Sequence, residues 1–147
     1  MNTFRLFTAS MLVLGLSACG GGSGGNLFGP PPQGSECNTG TAVELASPSP
    51  GQTTSNVNQI TLVANGNTNA LYNNYQNWYV YVSNGFSQFQ GGQLNLVADP
   101  NGPHPYPSDF YYSSQFSQTL PAGNTWTVYL TQYNGGCNAV PLQSFST

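Results

Sequence analysis

Charge is what this sequence has least of. Arg5 is the one Lys or Arg in 147 residues, four residues are Asp or Glu, and charged side chains make up 3% of the chain; ordinary soluble domains carry roughly 25%. With Arg5 as the sole Lys or Arg there is almost nothing to neutralise phosphates, which argues against nucleic acid as a partner. Anionic lipid headgroups are excluded as direct ligands for the same reason. Catalytic groups are nearly as scarce. General acid–base work needs a positioned pair of titratable groups, and beyond Arg5 the carboxylates and imidazoles are Glu36, Glu44, Asp99, His104 and Asp109. Asp99, His104 and Asp109 share one loop region with serines nearby, so a hydrolase triad can be drawn. No nucleophile elbow accompanies it, and the prolines around it read as structural. The expectation is a protein that is not an enzyme. Long apolar runs are missing too: the stretch from Leu6 to Leu16 is about half of the roughly 20 residues a spanning helix needs. Downstream of Cys37 no ten-residue window free of Gly, Pro or dense Asn, Ser and Thr carries an apolar stripe at helical spacing, which argues against an α-helical domain.

What is present begins with a leader. Arg5 precedes the apolar stretch, and small Ser17 and Ala18 precede Cys19, the three-part layout of a secretory signal. Leu16-Ser17-Ala18-Cys19 resembles the lipobox of bacterial lipoproteins. That resemblance implies removal of residues 1–18 and lipidation of Cys19, through a thioether diacylglycerol and an N-acyl chain such as palmitate. Two or more chains hold a protein stably where one holds it marginally. An ordinary cleaved signal with an incidental cysteine is the alternative. Gly20 rather than Asp follows the cysteine, which by analogy with lipoproteins of two-membrane bacteria favours the outer membrane. The expected partner is therefore a membrane, reached through a covalent lipid, with no other cofactor. Residues 19–36 read as the lipidated cysteine and a Gly/Pro-rich linker, flexible in its glycines and stiffer at Pro30-Pro31-Pro32. The seventeen residues between Cys19 and Cys37 reach at most about 55–60 Å. The glycines are not a phosphate-binding loop, since no lysine follows them.

Residues 37–147 suffice for one domain. Loss of Arg5 with the leader takes the formal charge from −3 to −4. Such a surface must be built from Asn, Gln, Ser, Thr, Gly and Tyr. Low charge can signal disorder, but 13% aromatic content with regular apolar alternation argues for an ordered fold. Cys37 and Cys137 remain once Cys19 is acylated, and an even pair in an oxidising compartment is most simply one disulfide; two free thiols are the alternative.

The hydrophobic period is two, with turn signals between short β-rich runs, as in an all-β sandwich. Strands are expected near 41–46, 59–64, 77–83, 93–98, 110–120 with an interruption, 125–133 and 140–146. Ser47-Pro48-Ser49-Pro50-Gly51 is an edge or loop, and Asn134-Gly135-Gly136 a turn between the last two strands. Alternation puts Trp78, Val80 and Val82 on one face, with Trp126, Val128 and Leu130 likewise. Val43, Leu45, Ile60, Leu62, Leu94, Leu96, Leu120, Leu142 and Phe145 should join them inside. Phe86, Phe89, Phe110, Tyr111 and Tyr112 take no defined face, and Glu36 and Glu44 read as solvated charges.

Pro50-Gly51-Gln52-Thr53-Thr54-Ser55-Asn56-Val57 followed by Gln59-Ile60-Thr61-Leu62 resembles the first two strands of bacterial immunoglobulin-like domains. Leu120-Pro121-Ala122-Gly123-Asn124-Thr125-Trp126 is similar to the E–F corner of fibronectin type III and related modules, with Trp126 where those carry tyrosine. The resemblance implies an Ig-like β-sandwich of about seven antiparallel strands, with strands C and F adjacent. It also puts the start of the domain and the F–G turn at one end, where Cys37 and Cys137 can meet. The pairing differs from the buried B–F disulfide of antibody domains.

Two binding candidates follow. Tyr79, Tyr81, Tyr129 and Tyr133 should stand outward on the C and F strands. Tyrosine among Asn, Ser, Thr and Gly suits adaptable recognition of a protein or a glycan, and equally suits plain cross-strand pairs on an exposed sheet. Asp99, Asn101 and Asp109 could offer oxygen ligands to calcium, although the loop lacks an EF-hand series. The functional expectation is a lipid-anchored, non-catalytic binding or adhesion module at the cell surface, with a structural envelope lipoprotein as the alternative.

Overall fold

A computed structural model describes residues 35–98, 105–106, 108–134 and 136–147. Cys19, linker residues 20–34, Asp99, Asn101, His104 and Gly135 lie outside the described residues. In chain order the strands are β1 (Val43–Ser47), β2 (Gln59–Asn65), β3 (Trp78–Ser83), β4 (Gln88–Gln93), β5 (Asn95–Val97), β6 (Asp109–Gln115), β7 (Thr125–Gln132) and β8 (Val140–Ser146). They form two antiparallel four-stranded sheets, β1-β2-β6-β5 and β4-β3-β7-β8. The all-β sandwich expected from period-two alternation is what forms. Its strand order is the A-B-E-D over C-F-G arrangement of Ig-like sandwiches, with β4 added beside the C position.

The core lies between the sheets. Trp78, Val80 and Val82 of β3 and Trp126, Val128 and Leu130 of β7 are fully buried, facing Leu45, Ile60, Leu62 and Tyr112 of the first sheet. Burying each such side chain contributes about 1.5–3 kcal/mol. Phe145 and Leu120 are buried as expected, while Val43 and Leu142 pack only partly against the core. The unassigned aromatics resolve by position. Tyr112 is inside, Phe89 packs edge-on against Trp126 at 5.4 Å, and Phe86 is 99% exposed at the β3–β4 hairpin.

Four expectations need correction. Residues 93–98 are not one strand: β4 ends at Gln93, the buried Leu94 carries the chain across to the first sheet, and β5 follows there. The strand β4 itself has no counterpart in the sequence reading, because Gly91-Gly92 breaks the alternation, and it raises the count to eight. Leu96 is in register with Tyr112 yet 41% exposed, since its three-residue strand forms the rim of the sheet. Glu44 is not simply solvated. Its Oε1 accepts a 2.7 Å hydrogen bond from the phenol of Tyr106, which reaches from the β6 side of the sheet to the β1 edge. A short helix, α1 (Ala70–Asn73), also links β2 to β3. Asn69 caps it by accepting from the Tyr72 amide at 2.8 Å, and Leu71 anchors it in the core.

One end of the sandwich is closed by the Cys37–Cys137 disulfide, with Cα atoms 4.9 Å apart. Beside it the Cys37 amide donates to the Asn138 carbonyl and the Asn138 amide to that of Ser35, at 2.9 and 3.0 Å. At the opposite end the corner between β6 and β7 holds without a tyrosine. Gly123 supplies the positive φ, and the Trp126 indole donates to Thr147 Oγ1 at 3.0 Å, which donates on to the Pro121 carbonyl at 2.6 Å.

Candidate functional site

Successive residues of a strand face opposite ways, so the burial of Trp78, Val80 and Val82 turns Tyr79 and Tyr81 outward. The same holds for Tyr129 once Trp126, Val128 and Leu130 are inside. Tyr133 lies just beyond β7, where its amide donates to the Asn77 carbonyl at 3.0 Å and extends the pairing with β3. All four sequence-derived tyrosines therefore share the outer face of the second sheet. They are not isolated. Tyr81 and Tyr129 are directly opposed, with rings stacked 4.8 Å apart at 6°. Tyr79 and Tyr133 pack at 4.4 Å and 31°.

The surroundings of these pairs are neutral. One row across the sheet runs Gln90, Tyr81, Tyr129, Pro141, and another runs Gln93, Tyr79, Thr131. A third joins Ser83, Thr127 and Ser144, with the Thr127 and Ser144 hydroxyls 3.0 Å apart. No Asp, Glu, Lys, Arg or His occurs in β3, β4, β7 or β8. The described strand carboxylates, Glu44 and Asp109, are on the first sheet. Thr131 has outward parity but is buried, because Cys37 Sγ lies 3.7 Å from its hydroxyl. The disulfide thus bounds this face at one end.

Burial raises the Tyr81 phenol above its ordinary value of 10.0, and the neighbouring Tyr129 and Tyr79 phenols push it the same way. Tyr81 stays a neutral hydroxyl, able to donate and accept. Each stacked ring spends one face on its partner, which leaves phenol ends and outer flanks for a ligand.

The other sequence candidates do not assemble into a described site. Asp99 and Asn101 lie outside the described residues, and Asp109 begins β6. Among the described residues no group of three or more His, Cys, Asp or Glu stands together. Sequence reasoning missed the bulge at Gly91-Gly92. Tyr79 pairs with Gln93 and Tyr81 with Gln90, so two glycines face Val80 alone. A glycine pair inside a polar run was the available signal, since strand glycines mark bulges and close backbone approach.

No family model and no curated protein matches the chain. Among solved structures it is similar to the archaellum periplasmic stator protein FlaG from Sulfolobus acidocaldarius, at 18% identity and a TM-score of 0.35, over 71% of this chain and 95% of that one.

Proposed function

We propose that this protein is a lipid-anchored binding or adhesion module of the cell envelope, non-catalytic, that recognises a protein or glycan through its tyrosine face. The observation that carries the reading is the gathering of Tyr79, Tyr81, Tyr129 and Tyr133 on a charge-free sheet. Tyrosine offers large contact area at low conformational cost, and the surrounding amides and hydroxyls supply adaptable hydrogen bonds. The Leu16–Cys19 lipobox supports attachment to a membrane by acylation of Cys19, at the outer membrane on the strength of Gly20. The glycine and proline linker would hold the face clear of the lipid.

Two experiments test this. Metabolic labelling with a palmitate analogue should mark the wild type and spare Cys19→Ala, which should also leave the membrane fraction. A glycan array and a pull-down from envelope extracts should show binding that Tyr79→Ala/Tyr81→Ala/Tyr129→Ala loses; equal behaviour of the two proteins sinks the tyrosine-face reading. A structural envelope lipoprotein without a dedicated ligand is the second reading. What favours it is that each tyrosine already has another tyrosine as its partner, as cross-strand pairs on an exposed sheet do.

A further inference from the structure

The bulge beside the tyrosines makes a groove. Gly91 and Gly92 interrupt β4 opposite Val80, and beside the bare, exposed Gly92 the strand leaves a shallow opening of about 660 Å³. Gly91 bridges to Phe116, whose own ring is in the core, and Ser114 Oγ donates to the Gly92 carbonyl at 2.6 Å. The glycine floor is therefore held by backbone pairing and one hydroxyl. Gln90, Gln115 and Ser117 supply polar groups around it, and Tyr133 lines one side. Tyr133 is 45% exposed and rests on Tyr79, so one flank of its ring is occupied and much of the rest is open.

We infer that this groove binds a neutral oligosaccharide, with one sugar against the Tyr133 ring and its hydroxyls on the Gln90 and Gln115 amides. The inference rests on the binding-module reading above and assigns that module a ligand class and a seat. The lining contains no charged residue, and neither do the four strands of the sheet. An anionic ligand would find no cation there, and a cationic one no carboxylate. What the groove offers is amide donors and acceptors, a hydroxyl, a phenol and an aromatic flank. Those match a polyhydroxylated, uncharged ring with one apolar side. Gly92 matters because it is bare. A Cβ there would meet the Gln115 carbonyl at 3.6 Å, an ordinary contact, so the fold can carry a side chain that narrows the groove.

The test uses the full acylated chain in a detergent without sugar headgroups. It is applied to immobilised neutral hexose and N-acetylhexosamine oligomers alongside their uronate and sulfated counterparts. Wild type should bind neutral oligomers, Gly92→Leu and Tyr133→Ala should each weaken binding by about tenfold or more, and Phe86→Ser, in the β3–β4 turn and not part of the groove lining, should leave it unchanged. Thermal melts of all four proteins establish that each is folded, and Tyr133→Ala keeps the test open if Gly92→Leu is not. Neutral-glycan binding that ignores both groove variants overturns the groove and leaves the binding module standing. Selective binding of acidic glycans, or of a protein from envelope extracts and no glycan, overturns the ligand class alone. Binding of nothing at all takes both readings down.

Discussion

Tyr81 and Tyr129 face each other across β3 and β7 with rings 4.8 Å apart and 6° from parallel. Such a pair is worth about 0.5–1.5 kcal/mol beyond the area it buries. Tyr81→Ala and Tyr129→Ala should therefore couple. Urea unfolding of the wild type, both single variants and the double variant should give a favourable interaction term in that range. Strictly additive losses would mean that the rings are neighbours without being partners.

The disulfide carries a larger share of stability. It joins residues 100 positions apart, and a loop of that size corresponds to about 4–5 kcal/mol in the chain-entropy model, with measured values often lower. Cys37→Ser/Cys137→Ser should lose about 2–5 kcal/mol, read as a lowered urea midpoint with a folded baseline retained at low denaturant. A reductant should lower the wild-type midpoint and leave the double variant where it was.

The parts of this architecture that sequence reveals are those decided by local alternation. Trp78–Val82 and Trp126–Leu130 are central strands with one face fully buried, so period two states which side chains go in and which tyrosines go out. Cys37 and Cys137 are legible by counting. Hidden features are those decided by distant partners. Glu44 meets Tyr106 across 62 residues, and nothing near Glu44 signals it. Leu96 keeps the right parity but loses its cover because β5 is a short rim strand. The chain's crossing between sheets at Leu94 is invisible to a pattern that alternates straight through it. The groove was hidden for a related reason: its walls come from β4, the end of β6 and the residue after β7, which no single stretch of sequence brings together.

Gly91 is a position where any side chain would be crowded. Its Cβ would overlap Ser114 Oγ and crowd Val80 on both side chain and carbonyl. Because the obstruction includes backbone, Gly91→Ala should destabilise by about 1–3 kcal/mol, the range for overpacking. Adding Ser114→Ala removes the hydroxyl but not the Val80 contact, so thermal melts should show partial recovery. Full stability in Gly91→Ala alone would show that the bulge can shift to make room.

Tyr112 links core packing to alkaline pH. Its phenol is buried with no hydrogen-bond partner among the described residues. Burial first, then the Tyr72 and Tyr75 phenols, push its pKa from 10.0 up to about 12. Tyr106 is also raised to about 12, by burial first and then by its hydrogen bond to Glu44. Below pH 10 the folded and unfolded chains both hold these protons. Between pH 10 and 12 the unfolded chain releases them while the folded chain keeps them, so the unfolded state gains and stability falls. Above about 12 both states are ionised and the loss levels off. Tyr112→Phe should remove one proton's worth of that slope in urea midpoints measured from pH 9 to 12. At pH 7 the same variant deletes an unpaired hydroxyl from the core, so it should be neutral or stabilising by up to about 1 kcal/mol. A loss of stability at pH 7 would mean that the phenol has a bound partner after all, and an unchanged alkaline slope would mean that it already ionises with the unfolded chain.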